Sequence, residues 1–195
     1  MNNQQIERLR RKINSYYQIS DSSFDKIISI ILLQQISKNK VFVEQGSISR
    51  YFSYLDSGYM ISYISNIEGK IYNKNIFSAD DWVGSTVSSI LQSPSNFTIK
   101  AATDCEVLCM PYIKLKELIF EVDDIKSFYI KYLEKNWIID KEEREVSLVM
   151  DSAEIRYENL LLKCKNIEQH ISLKEIASHL GITPTQLSRI RKNKI

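Results

Sequence analysis

The stretch Ser172-Leu-Lys-Glu-Ile-Ala-Ser-His-Leu-Gly-Ile-Thr-Pro-Thr-Gln-Leu-Ser-Arg-Ile-Arg-Lys192 leaves little choice of fold: it spells two short helices and the turn between them. Ser172 followed three residues later by Glu175 is a capping box, in which each residue satisfies a backbone N–H of the other, and it predicts a helix from Leu173. Ile176, Ala177 and Leu180 share one face of that helix, and the small Ala177 lets a second helix come close. Gly181 ends the helix, because glycine takes the positive φ of a C-terminal cap at little cost. Thr183 then reads as an N-cap and Pro184 as the first helical residue, with Leu187 and Ile190 facing inward. Thr185, Gln186, Ser188, Arg189 and Lys192 are left on the outside, with groups that suit base edges and phosphates. From Ile176 to Ile195 the chain has Arg189, Arg191, Lys192 and Lys194 and no acid. The spacing and the charge together predict a helix-turn-helix and DNA as its partner.

The whole chain of 195 residues carries a formal charge of only +2, so it is the placement of the cations that argues for DNA. A hydrophobic content of 44% supports a packed core. The longest apolar run, Ile27 to Leu33, is far short of the ~20 residues that span a bilayer, and the first residues lack a signal-peptide pattern. A cytoplasmic protein without a membrane segment is expected. Cys105, Cys109 and Cys164 are odd in number and widely spaced, as in a reducing compartment. They could be joined by His170, but a C-x3-C without a second pair does not make a metal site, and no metal or cofactor is expected. His170 and His179 form no recognisable catalytic set, so an enzyme is not expected, and His179 is placed on the exposed side of its helix.

Ahead of this motif, residues 3 to 17 read as an amphipathic helix. A second helix is capped by Ser20 to Ser22 and carries Phe24, Ile27, Ile28, Ile31 and Leu32, which should pack on a sheet. Between about 36 and 110 the chain turns β-branched and aromatic. Strands are predicted at 41–43, 51–55, 59–64, 70–74, 97–101 and 106–110, with turns at Gly46, Gly58, 66–69 and 80–81. Tyr112 to Phe120 reads as a short helix. A long one of about seven turns follows, with Ile125, Phe128, Tyr132, Ile139, Val146 and Val149 on a three-four seam that suits a second copy of the chain. Asp151-Ser152-Ala-Glu opens a final helical unit, with strands conceivable near Ser172. The boundaries so drawn are 1–122 for the β-domain, 123–150 for the dimerisation helix and 151–195 for the DNA-binding unit.

This arrangement resembles the Crp/Fnr family of bacterial transcription regulators. The resemblance is carried most specifically by residues 173–192, by Gly46 and Gly58, by Ala102-Thr-Asp-Cys-Glu-Val107 and by Ser152-Ala-Glu-Ile-Arg-Tyr157. It implies an α+β fold: an N-terminal cyclic-nucleotide-binding-like β-roll with flanking helices, a long dimerisation helix, and a C-terminal winged helix-turn-helix. It also implies a homodimer on an inverted-repeat promoter site and contact with RNA polymerase. Thr185, Ser188 and Arg189 take the base-reading positions, and Thr183 is placed for a phosphate. In members that bind cyclic nucleotides, a glycine-glutamate and an arginine-serine pair hold the ligand. Here the matching positions are Gly84-Ser85 and Ser95-Asn96, and no arginine occurs between Tyr51 and Glu143, with Lys100 as a candidate substitute cation that could equally face solvent on its strand. The effector pocket is therefore expected not to take cyclic AMP, although an unknown small-molecule effector stays open. The alternative is an effector-binding or protein-interaction module without DNA binding.

Overall fold

The computed structural model describes residues 1–65 and 71–193; the predicted turn at 66–69, the Lys70 start of a strand and the cation Lys194 lie outside them. Helices α1 (Asn3–Asn14) and α2 (Asp21–Ser29) lead into eight strands: β1 (Leu32–Ile36), β2 (Val41–Val43), β3 (Tyr51–Ser57), β4 (Tyr59–Ser65), β5 (Ile71–Ser78), β6 (Trp82–Val83), β7 (Thr98–Ala101) and β8 (Cys105–Pro111). A short helix α3 (Thr86–Leu91) sits between β6 and β7. The strands form two antiparallel four-stranded sheets, in the orders β1-β8-β3-β6 and β2-β7-β4-β5.

Alternation along the strands makes three layers of core. Leu55, Met60, Ile99, Val107 and Cys109 point between the sheets. Phe52, Tyr54, Leu108 and Met110 point out of the first sheet toward the helices, and Ile61 and Ile76 point out of the second. Residues of both parities are thus buried in β3 and β8, so these strands do not alternate cleanly between apolar and polar.

The first sheet is covered by α1, α2, α4 (Tyr112–Glu121) and α5 (Asp123–Leu133). Asp56 fastens α1: its carboxylate takes two bonds from Arg8, at 2.8 and 2.7 Å, and one from Gln5 at 3.2 Å. α5 runs on through a π-helical segment (Glu134–Ile139) into α6 (Asp140–Met150), so the long helix predicted over 123–150 is continuous but carries an extra-wide turn at its middle.

That helix divides its apolar residues between two jobs. Ile125, Phe128 and Tyr132, grouped by sequence with a contact to a second copy, are buried in the chain's own core. Tyr132 meets Phe52 edge-on at 4.9 Å, and its hydroxyl accepts from Trp137 Nε1 at 3.1 Å. Phe128 lies among Tyr16 and Trp82. Ile139, Val146 and Val149 are exposed instead, Val149 at 82%.

The second sheet is covered by the C-terminal helices α7 (Ala153–Lys163), α8 (Ile167–His170), α9 (Leu173–Leu180) and α10 (Pro184–Lys192). Tyr157, Leu160, Ile167, Ile176 and Leu187 share one apolar cluster with Ile61, Ile76 and Ala102 of the roll. Three other expectations are corrected. Leu32–Ile36 is a strand rather than the end of α2, because β8 offers it an antiparallel partner from Leu32↔Cys109 to Ile36↔Cys105. α1 stops at Asn14, leaving Tyr17 exposed. The strands conceived near Ser172 are absent: among the described residues no strand follows β8, since Ile167–His170 is helical and Ser172 is spent capping α9. No helix among the described residues is long and apolar enough to cross a membrane.

Candidate nucleic-acid interface

The predicted C-terminal pair forms with both of its caps. Ser172 Oγ accepts from Glu175 N at 3.2 Å while Glu175 Oε2 accepts from Ser172 N at 3.1 Å, and Gly181 closes α9 with φ +71°. Arg156 adds a donor at that end, its guanidinium reaching the Leu180 carbonyl at 3.2 Å, where a cation meets the negative pole of the helix. The next helix starts on a second capping box: Gln186 N donates to Thr183 Oγ1 at 3.2 Å and Thr183 N donates to Gln186 Oε1 at 2.9 Å. Ile176, Ala177, Leu180, Leu187 and Ile190 are buried between the two helices and α7.

These bonds sort the seven residues singled out by sequence. Thr185, Ser188, Arg189 and Lys192 stand exposed along the outward side of α10, and among the described residues neither Arg189 nor Lys192 has a carboxylate partner. Thr183 and Gln186 are engaged with each other in the cap. Arg191 is held by Glu168 of α8 at 2.7 Å, and Glu168 also takes the hydroxyl of Tyr157, so this arginine braces α10 against its neighbours. A half-exposed pair of this kind is worth at most about 1 kcal/mol. Four side chains of the seven therefore remain open to a ligand.

A second constellation lies in the roll, where the effector residues were expected. Ser85 and Ser95 meet, with Ser95 Oγ donating to Ser85 Oγ at 3.0 Å, and both are buried. Gly84 keeps them close to β3: a Cβ there would come within 3.3 Å of the Tyr51 carbonyl. Asn96 turns outward and is exposed. The sequence reading missed Ser49, Ser88 and Ser89. Ser85 N donates to Ser49 Oγ at 3.4 Å, Ser89 Oγ donates to the Ser49 carbonyl at 2.9 Å, and Ser49 N donates to Ser88 Oγ at 2.9 Å. The spacing of Ser85, Ser88 and Ser89 is that of one buried helix face and could have been read as such. Hydroxyls and backbone groups satisfy one another here. Lys100, half-exposed between Ile99 and Ala101 on β7, takes no part in that network.

The cysteines are placed apart. Cys105 and Cys109 are buried in β8, where desolvation pushes the Cys109 thiol up to about 11, and Cys164 lies against Ser78. His170 stacks on Tyr59 at 4.7 Å. His179 is not on an exposed side: its ring is held between α9 and β5 with Nδ1 buried.

Residues 33–122 match the family model of the cyclic nucleotide-binding domain. The chain superposes on FixK2 from Bradyrhizobium japonicum with a TM-score of 0.68, at 15% identity and over 84% of either chain. It superposes on the Thermus thermophilus catabolite activator protein at 0.56, with 16% identity, over 93% of this chain and 85% of that one. A protein from Eubacterium rectale described as a transcriptional regulator of the Crp/Fnr family gives 0.56, with 17% identity over 92% and 87%. The fold is that of the Crp/Fnr regulators. No curated protein sequence matches the chain. Within that fold Ser85, Ser88, Ser89 and Ser95 lie between β6 and β7 of the matched domain, and Ser49 joins them from the segment ahead of β3.

Proposed function

We propose that the chain is a sequence-specific DNA-binding transcription regulator of the cytoplasm. It acts as a homodimer through the exposed stripe Ile139, Val146 and Val149, with α9 and α10 as its helix-turn-helix and α10 as the helix that enters the major groove. The observation that carries this reading is the open, acid-free side of α10: Thr185, Ser188, Arg189 and Lys192 are exposed on a helix whose other side is fully packed. Arg189 is the base reader, since a guanidinium can make a paired contact with guanine O6 and N7, and Lys192 is a phosphate contact. Thr183, Gln186 and Arg191 shape and brace the helix. Replacing Arg189 by Ala should weaken binding to the preferred site by about 1–3 kcal/mol and relax selectivity at one base pair per half-site. Replacing Lys192 should weaken all sequences alike and lower the slope of log affinity against log salt by about one. Equilibrium binding of the two variants across salt checks this; equal losses on specific and random DNA for Arg189→Ala would remove it from the reading role. Affinity for DNA that is absent, or independent of salt, would favour the alternative of a protein-interaction module.

In this reading the roll does not take a cyclic nucleotide as its effector. A buried phosphate needs a cation or free N–H donors to replace its hydration, and the five serines are bonded to one another and to backbone. Calorimetry with cyclic AMP should give no binding at micromolar concentration; a micromolar dissociation constant would overturn this part of the proposal.

A further inference from the structure

Among the described residues β5 is an outer strand of its sheet, so along one side its backbone N–H and C=O groups have no strand partner. α9 takes that side. Asn73 N donates to Ser178 Oγ at 3.0 Å, Asn73 Nδ2 donates to the Glu175 carbonyl at 3.0 Å, and the Ser178 hydroxyl stands 3.5 Å from the Ile71 carbonyl. His179, the next residue of α9, lies against the same edge, with its Nδ1 buried and, among the described residues, without a hydrogen-bond partner. We infer that His179 is a proton-sensitive latch, which holds the C-terminal helices on the free edge of the roll while its ring is neutral and releases them when the ring is charged. The inference concerns the docking of the two parts of the chain and holds whatever the exposed side of α10 binds.

Two cations, Arg144 and Lys163, oppose an imidazolium at His179. From α6 comes Arg144, whose guanidinium donates to the Asn75 side chain and the Lys74 carbonyl. From α7 comes Lys163. From β5 comes Lys74, whose ammonium is drawn over the Phe97 ring at 4.2 Å. On α9 itself, Glu175 is taken up by the Ser172 cap. Desolvation first, then Arg144 and Lys163, lower the pKa of the docked ring from 6.5 to about 4, against the opposing pull of the nearby Asn73 and Lys74 backbone. Once released into water, the ring titrates near its ordinary value. The docked state therefore binds fewer protons, so docking is fully favoured above about pH 6.5 and weakens as pH falls from there toward 4. With these two values the opening constant at pH 5.5 is about tenfold larger than at pH 8.

Hydrogen exchange on the full chain reads this directly, because the Asn73 amide is covered by α9 whereas the Leu108 amide lies within the central strand β8. After correction for intrinsic exchange, protection of Asn73 should fall about tenfold from pH 8 to pH 5.5 while that of Leu108 holds. In His179→Gln, which keeps an N–H donor but cannot titrate, Asn73 protection should be the same at both pH values. An equal pH dependence in wild type and His179→Gln, or none in either, overturns the latch. Should the variant lose Leu108 protection and so fail to fold, the ring itself is titrated in the wild type by NMR, where only His170 and His179 contribute. A midpoint near 4 for His179 supports the latch and one near 6.5 overturns it.

Discussion

Gly58→Ala should destabilise the β-roll by about 3 kcal/mol or more, lowering the thermal midpoint by roughly 6–12 °C for a chain of this size. Gly58 joins β3 to β4 with φ +93°, a conformation that costs any other residue about 1 kcal/mol or more. The larger part is steric. A Cβ there would lie 2.4 Å from the Asp104 carbonyl, 2.6 Å from Cys105 Sγ and 2.9 Å from Thr103 Oγ1. The first of these is backbone, and the third accepts the Tyr59 N–H at 2.9 Å, so neither gives way without opening the approach of the two sheets. Gly46 supplies the control. Its φ is +89°, but a Cβ there would meet nothing within 4 Å, so Gly46→Ala should cost only the conformational part, about 1 kcal/mol. Chemical denaturation of both variants checks the difference; equal losses would mean that the close approach at Gly58 is not what demands glycine.

The second large effect separates the two apolar faces of the long helix. Phe128→Ala removes a ring that is 1% exposed and packed among Tyr16 and Trp82, and should cost about 3–5 kcal/mol in unfolding measurements. Val146→Asp touches no core of its own chain, since Val146 is 55% exposed. It should leave the circular dichroism spectrum unchanged yet convert a sedimenting dimer into a monomer, because a carboxylate in the dimer seam would be desolvated without a partner. A wild type that sediments as a monomer, or a Val146→Asp protein that stays dimeric, would show that the stripe is not an interface between copies.

Much of this architecture could be read from residue order, and the exceptions share a cause. β2, β3, β4, β7 and β8 announce themselves by β-branched and aromatic runs, and α9 by its capping box. Leu32-Leu33 does not: it continues the apolar stripe of Ile27, Ile28 and Ile31, and only the pairing with β8, far along the chain, makes it a strand. α3 was invisible because the residues it buries are Ser88 and Ser89, not apolar ones. The residue spacing over 123–150 suggests a single seam, whereas the first half of the helix is apolar toward the roll and its second half toward the outside. His179 follows the same logic. On α9 alone it falls beside the packed face formed with α10, and nothing local signals that a strand edge a hundred residues earlier covers it. Within the interface, Thr183 and Gln186 carry the T-x-x-Q spacing of a capping box, so their engagement was legible, while the tie between Arg191 and Glu168 depends on how α8 folds back.

The claim that this chain reads DNA is tested most directly by letting the purified protein select from a pool of random duplexes. Two copies of α10 in one dimer should lie about one helical turn apart, ~34 Å, so the selected sequence should be an inverted repeat with half-site centres roughly 10 to 11 base pairs apart. Enrichment of such a repeat, relaxed at one base pair per half-site by Arg189→Ala, is the predicted result. No enrichment, or a single asymmetric element unaffected by Arg189→Ala, would contradict it.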